Sequence, residues 1–387
     1  MIVAHLSLHD FRNYESAELA LSAGPNVLVG SNGQGKTNLV EAIGYLATLG
    51  SHRVSGDAAL IRAGRDTAIV RARLQHAGRE MLLEAQLNRS GANRAQVNRA
   101  QAKPRDLPRH IASVLFAPED LALVRGEPSG RRRFLDQLLV QLSPRLAGVL
   151  ADYDRVLRQR NSLLKSARAA RVSESQLSTL EIWDERLVEF GSEIIGARHD
   201  LVARLRPHVA EAYERIAGPD HAAELALQLS ILGVQPEEDG AQAPTLAEDV
   251  APADTVTAFR AALANVRRAE LDRGITLVGP HRDDLHLVLN ALPARSYASH
   301  GESWSFALAL KLASAALLRA ESPIGDPVVV LDDVFAELDE SRRAQLAHAV
   351  GDYEQVIITA AVLEDVPSEL TGRTVRIVAG RIAEDGQ

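Results

Sequence analysis

An α/β head divided in the sequence by a mostly helical insertion is the fold class that the sequence predicts, on three observations. Apolar and polar residues alternate at the start of the chain, helical periodicity replaces that alternation through the middle, and strands and helices alternate again towards the end. In the first part, Ile2, Leu6 and Leu8, then Leu19 and Leu21, then Asn26-Val27-Leu28-Val29 read as strands. From about Arg131 to Tyr213, apolar residues recur at spacings of three and four, as in Leu135, Leu138, Leu139 and Leu142 or Leu187, Phe190, Ile194 and Ile195. With Pro and Gly rare among them, these residues predict a helical arm. The stretch from Gln235 to Pro252 is rich in Pro, Gly, Ala and acid and reads as a flexible loop, and a helix is expected near Ala258 to Arg268. Strands are then predicted at Ile275–Val278, Leu285–Leu289, Val328–Leu331 and Val356–Thr359, with a helix at Ser303–Ala320. The expected domains are the first part of the head at 1–124, the arm at 125–270 and the second part of the head at 271–387.

Composition narrows the function. The chain has 387 residues, 46% of them apolar, enough for a sizeable core and more than one domain. No apolar run approaches the roughly 20 residues that cross a bilayer, and the start lacks the basic-then-apolar order of a signal peptide, so a cytoplasmic chain with no membrane partner is expected. The absence of Cys excludes disulfides and thiolate-held zinc or iron–sulfur clusters, which leaves oxygen or His ligands for any metal. The formal charge is -8, yet Arg125 to Arg171 carries 11 Lys and Arg against 4 Asp and Glu. Arg89 to Arg109 similarly holds Arg89, Arg94, Arg99, Lys103, Arg105 and Arg109 against Asp106 alone. An acidic whole with basic stretches suits a protein that meets a polyanion on one face, and Arg94, Arg99, Arg131, Arg132, Arg158 and Arg160 are the candidate DNA contacts. A merely solvated helical face is the alternative for these stretches.

The clearest chemistry lies at Gly30-Ser31-Asn32-Gly33-Gln34-Gly35-Lys36-Thr37, which satisfies GxxxxGK[ST] at each fixed position. Glycines let successive backbone N–H groups close around phosphates, Lys36 reaches the β- and γ-phosphates, and Thr37 offers its hydroxyl to Mg2+. An apolar strand enters this loop and a helix, expected from Asn38 to Leu49, leaves it, which aims a helix amino terminus at ATP. Val328-Val329-Val330-Leu331-Asp332-Asp333 is a buried-strand run ending in two carboxylates, with Asp332 expected to hold Mg2+ through water and Asp333 to act as the general base. Ahead of the helix at Ser303, Ser299 and Glu302 form a capping box. The same segment, with Ser299 and Gly301, resembles the ABC signature that contacts the γ-phosphate held by an opposite subunit, and Asp339 lies in a segment that resembles the D-loop. Together these residues predict an ABC-type P-loop ATPase head whose ATP site is completed by a second copy of the chain. Asp333 stands where transporters have Glu, and no switch histidine follows Thr359, so water activation should be weak. No glutamine can be assigned to a Q-loop.

Four segments resemble the RecF family over essentially the whole chain. They are Phe11-Arg12-Asn13-Tyr14 with the P-loop, Phe116-Ala117-Pro118-Glu119-Asp120-Leu121 running on through Arg131-Arg132-Arg133-Phe134-Leu135-Asp136, Gly279-Pro280-His281-Arg282-Asp283-Asp284, and Leu331-Asp332-Asp333-Val334-Phe335 with Glu337-Leu338-Asp339. Glu302 and Ser303 depart from the family, which has glutamines after the signature glycine. The resemblance implies an SMC-like head without the long coiled coil, a weak ATPase that dimerises on ATP, and binding to duplex or gapped DNA. It also implies action with RecR and RecO in placing RecA on gapped DNA. Arg131 to Arg133 and His281 to Asp284 admit a structural reading as well, as ion pairs at a domain junction.

Other classes fit less well. The motor subunit of a membrane transporter would carry a much shorter stretch between Lys36 and Ser299 and would keep the switch histidine. A chromosome scaffold of the SMC type needs long runs of heptads, and a small-molecule P-loop kinase leaves the Ser299 and Asp339 segments unexplained.

Overall fold

The computed structural model describes residues 1–54, 56–170, 178–233 and 252–383. The predicted acidic loop from Gln235 lies outside them except for Pro252, and Arg171, the end of the longer basic stretch, lies outside them too. In chain order the strands and helices are β1 (Ile2–Phe11), β2 (Tyr14–Ala20), β3 (Gly24–Val29), α1 (Lys36–Thr48), β4 (Thr67–His76), β5 (Arg79–Asn88), β6 (Arg94–Val97), β7 (Ala100–Ala102) and β8 (Ser113–Phe116). There follow α2 (Leu121–Arg125), α3 (Pro128–Leu142), α4 (Leu146–Ala170), α5 (Ser178–Ala217), β9 (Ala223–Gln228), α6 (Pro252–Arg273), β10 (Asp284–Leu289), β11 (Leu292–Pro293) and α7 (Ala294–Tyr297). The chain continues with α8 (His300–Glu321), β12 (Val328–Asp332), α9 (Glu340–Val350), β13 (Gln355–Ala360), β14 (Arg373–Val378) and β15 (Arg381–Ala383). Two compact units result: Met1–Leu121 with His208–His221 and Trp304–Gln387, and Ala122–Pro207 with Ala222–Ser303. Residues 271–303, expected with the head, group instead with the second unit.

The first unit holds two sheets of opposite character. One is antiparallel in the order β2-β1-β4-β5-β6-β7, and its alternating pattern buries Val3, Leu6 and Leu8 along β1 and Tyr14, Ala17 and Leu19 along β2. The other runs β15-β14-β3-β13-β12-β8 and is parallel at every pair except β14 with β15. Its β12 and β13 are buried at every residue, as strands covered on both faces must be, and so Val328–Leu331 and Val356–Ile358 read in the sequence as short apolar runs. A fully buried amide joins the sheets: Gln355 donates to the carbonyls of Val3 and Ser22, each at 2.9 Å, and accepts from the Val3 N–H at 2.8 Å. Left unpaired in this core, that amide would cost about 1–3 kcal/mol.

In the second unit the helices follow the predicted periodicity, and a small antiparallel sheet runs β11-β10-β9. The predicted strand at Ile275–Val278 is absent. Its backbone groups bond to side chains rather than to a neighbouring strand: the Thr276 N–H donates to Asn161 at 2.8 Å and the Leu277 N–H to Glu270 at 2.9 Å. Apolar sequence gave a strand signal there, and tertiary hydrogen bonding overrode it.

Candidate nucleotide site

Residues Gly30–Gly35 connect the end of β3 to the start of α1. Two of the glycines are sterically required. A Cβ on Gly30 would lie 2.3 Å from the Ile377 carbonyl oxygen, and one on Gly35, whose φ is 111°, would lie 2.7 Å from Asn13 and 2.8 Å from the Tyr14 hydroxyl. The Phe11-Arg12-Asn13-Tyr14 segment thus packs beneath the loop, where Asn13 also accepts from Asn38 at 2.7 Å. Gln34 is pinned from the other side by the turn between β14 and β15, its carbonyl accepting from the Gly380 N–H at 3.1 Å and its side chain from the Ala379 N–H. Ser31, Asn32 and Gly33 form the exposed crest. No side chain caps α1 and its first turn carries no acid, which leaves the helix terminus suited to an anion. Lys36 is 3% exposed, and its ammonium donates to the carbonyls of Gly30 at 2.7 Å and Ser31 at 3.4 Å.

Strand order sets the second half of the site. β13 lies between β3 and β12, so Thr359 faces Leu28 on one side and Asp332 on the other. Asp332 is buried, and one of its oxygens accepts from Thr359 at 2.6 Å and from Thr37 at 3.0 Å, which joins the helix of the P-loop to the end of β12. Burial raises its carboxyl to about 6, helped by the nearby charges of Asp333 and Glu119 against the two hydroxyl bonds. Asp333 adopts a left-handed conformation, φ 50°, and its N–H is held by the Thr359 hydroxyl at 3.0 Å.

Three further groups at this site were not predicted for it: Thr359, Glu119 in the turn after β8, and His52. The Nε2 of His52 lies 3.9 Å from the second oxygen of Asp332 and is buried with no hydrogen-bond partner among the described residues. Burial holds this imidazole below its ordinary pKa in spite of Glu41 and Glu119, which favours the neutral ring. Its loop is clamped by Glu41 of α1, which is fully buried and accepts from Arg12 at 2.8 and 2.6 Å and from the Ser51 hydroxyl. Burial alone would raise Glu41, but the bonds from Arg12 and Ser51 outweigh it and keep the carboxyl low. Ser51 then turns the loop by accepting from the N–H groups of Arg53 at 2.9 Å and Val54 at 3.1 Å.

The remaining predicted residues lie on other segments of the chain. Ser299 and Gly301 belong to the second unit, where Ser299 and Glu302 form the expected capping box, with bonds of 2.7 and 3.3 Å at the start of α8. Asp339 is exposed in the first unit and caps α9 by accepting from the Arg342 N–H at 2.9 Å. Of the six arginines, Arg94, Arg99 and Arg158 are exposed and Arg132 is half-buried. The other two do not fit the expectation. Arg160 is wholly buried and bonds Asp184 at 2.8 Å, Glu270 at 2.6 Å and Thr276 at 2.7 Å, while Arg131 is 4% exposed and makes a two-pronged pair with Asp284 at 2.8 and 2.7 Å. A guanidinium out of contact with solvent and saturated by carboxylates cannot neutralise a phosphate, so both are structural.

The family model for the RecF/RecN/SMC N terminal domain matches residues 2–385. The DNA replication and repair protein RecF of Leifsonia xyli subsp. xyli (strain CTCB07) is 64% identical over 386 residues, which cover 99% of this chain and all, 100%, of that one. The protein of the same name from Clavibacter michiganensis subsp. michiganensis (strain NCPPB 382) is 63% identical over 388 residues, 99% of this chain and 96% of that one. A solved structure of the recombination mediator protein RecF-ATP in the RecFOR pathway superposes with a TM-score of 0.83 at 28% identity, covering 99% of this chain and 98% of that chain. An Smc head bound to the C-winged helix domain of ScpA, with a TM-score of 0.53 at 14% identity over 99% of this chain and 96% of that one, shares the fold alone. Sequence identity and fold agree along the whole length, and the chain belongs to the RecF family of DNA replication and repair proteins.

Proposed function

We propose that this chain is an ATP-controlled switch of recombination repair: two copies close around ATP, the closed dimer binds duplex DNA at gaps or junctions, and slow hydrolysis releases it. The observation that carries this reading is the state of the P-loop. Lys36 is buried, yet among the described residues its Nζ is bonded only to carbonyl oxygens of its own loop, the nearer at 2.7 Å, and Thr37 is bonded to Asp332 at 3.0 Å. Those are groups engaged with each other in a way that a nucleotide's phosphates and Mg2+ would replace. The donors fit magnesium: a hydroxyl and a carboxylate oxygen are hard ligands, and the phosphates supply others. Bound there, the metal would neutralise charge on the β- and γ-phosphates. Among the described residues no helix is long and apolar enough to cross a membrane.

In this mechanism Lys36 releases the carbonyls of Gly30 and Ser31 to take phosphate oxygens, and the N–H groups at the start of α1 bind the same anion. Asp333, fixed through its own N–H by Thr359, accepts a proton from the water that attacks the γ-phosphorus. Ser299, Gly301 and Asp339 of the partner complete the site across the dimer. The capping box leaves Ser299 at a helix start, and the exposed Asp339 is free to face a second chain while capping α9. Cooperation with RecR and RecO in loading RecA follows the family relationship, since the RecF structures are described as mediators in the RecFOR pathway.

Light scattering of the purified chain with ATP, ADP and no nucleotide tests the switch. The parent should be dimeric with ATP alone, Ser299→Arg should bind ATP but stay monomeric, and Asp333→Asn should hold the dimer. A Ser299→Arg protein that dimerises like the parent would refute the shared site.

A further inference from the structure

A cavity of about 700 Å³ opens within the second unit, bounded by the start of α3, the turn after β9, the end of α6 and the loop before β10. Three guanidiniums line it: Arg132 from α3, Arg273 from the end of α6 and Arg282 from the loop. Two carboxylates line it as well, and both are engaged by cations from outside the cavity. Asp284 takes its pair of bonds from Arg131, and Glu127 accepts from Arg295 at 3.1 Å. The three arginines have no such partner. Arg132 donates to the Asp283 carbonyl at 2.7 Å and Arg282 to the Thr276 carbonyl at 3.2 Å, and among the described residues none of the three is within ion-pair distance of a carboxylate. The half-buried Arg132 also lies close enough to Arg198, itself paired with Asp136, for burial and that second cation to lower its pKa.

We infer that this cavity is a second anion site, built for a phosphate group carried on a nucleoside. Three guanidiniums on one lining, none within ion-pair distance of a carboxylate among the described residues, match a phosphate, which is doubly charged and accepts in several directions, better than a single carboxylate. The volume far exceeds one inorganic ion and falls in the range of small-molecule sites, about 300–1,000 Å³. Val266, Leu277 and Val278 add apolar surface to the lining, which suits a sugar and base. The ligand is therefore a phosphate-terminated nucleotide, either free or at the end of a DNA strand. This site is separate from the P-loop and does not depend on the proposed switch.

Testing it requires the P-loop to be silenced, so the full chain carrying Lys36→Met is titrated with dAMP, with inorganic phosphate, and with a tailed duplex bearing either a 5′-phosphate or a 5′-hydroxyl. The dAMP or the phosphorylated duplex should bind, and Arg273→Gln or Arg282→Gln should each weaken that binding about tenfold or more, the value of one charge-assisted bond. Arg132→Gln should do the same. The two exposed positions keep the test informative if Arg132→Gln misfolds. A preference for the 5′-phosphate over the 5′-hydroxyl that disappears in the variants assigns the site to strand ends, and dAMP binding without that preference assigns it to free nucleotide. No binding of any probe, or binding that the arginine variants leave unchanged, would overturn the inference. If that happens while the chain with Lys36 intact still dimerises on ATP, the second site fails and the switch stands.

Discussion

Lys36 in the first unit and Arg160 in the second are both buried cations, 3% and 0% exposed, and they are satisfied in opposite ways. Lys36 has two neutral carbonyls of the glycine loop, whereas Arg160 has two carboxylates and a hydroxyl held on α5, α6 and the segment that follows α6. The carboxylates differ in the same sense: Asp332 is bonded only by hydroxyls, while Glu270 receives a guanidinium and the Leu277 N–H. A buried charge with neutral partners remains costly until a ligand of opposite sign arrives, and one with counter-ions is already settled into the fold. The contrast sets the groups proposed to meet the nucleotide apart from those that hold the second unit together.

The strongest way to break this contrast is through Arg160. Arg160→Met leaves Glu270 buried without its cation and should cost about 3–5 kcal/mol in urea unfolding, with nucleotide affinity unchanged in whatever remains folded. Lys36→Met should do the reverse. It should lower ATP affinity by roughly 10- to 100-fold, the value of one to two charge-assisted bonds, and leave the unfolding midpoint of the ligand-free chain unaltered. If both variants lose stability equally, the distinction between the two cations fails.

A pH titration sharpens the comparison at Asp332. Its carboxyl is raised to about 6 from the ordinary 3.8, so the folded state takes up its proton more readily than the unfolded one. The stability it contributes to the ligand-free protein is fully present below about 4 and is lost as pH rises through about 6. Asp283, also raised to about 6 by burial, acts in the same direction, so the measurement is the difference between the parent and Asp332→Asn. That difference should vary between pH 4 and 6 and be level above 7. A difference that does not change with pH would remove Asp332 from the account.

Smaller effects are expected at the surface. Reversing Arg94 and Arg99 together should weaken duplex binding and reduce its salt slope by about one per lost phosphate contact, and Arg158→Glu should do so by itself. ATP-driven dimerisation should survive each change. Unaltered affinity and slope in all of them would mean that these exposed arginines are only solvated.

Much of the nucleotide site was legible because its chemistry is local. Gly30 to Thr37 are consecutive, and the strand before and the helix after them follow from apolar runs, so loop, lysine and helix terminus appear together in the sequence. Asp332 was legible for the same reason, at the end of a strand buried on both faces. His52, Thr359 and Glu119 were not, since they reach the site from three separated loops or strand ends and share no spacing. Sheet order decided Thr359: only the placement of β13 between β3 and β12 sets its hydroxyl against Asp332. The arginines show the same limit. Sequence counts charge without burial, so Arg158 and Arg160 read alike, yet one helical position faces solvent and the other faces Asp184, Glu270 and Thr276. The sequence by itself determined the glycine-rich loop, the buried aspartate that ends β12 and the helical insertion, because each is encoded in adjacent residues or one periodicity. Tertiary structure alone decided which charges are paired, since the partners of Arg131 and Arg160 lie 153 and 110 residues away, brought within bonding distance only by the packing of the helices and the small sheet.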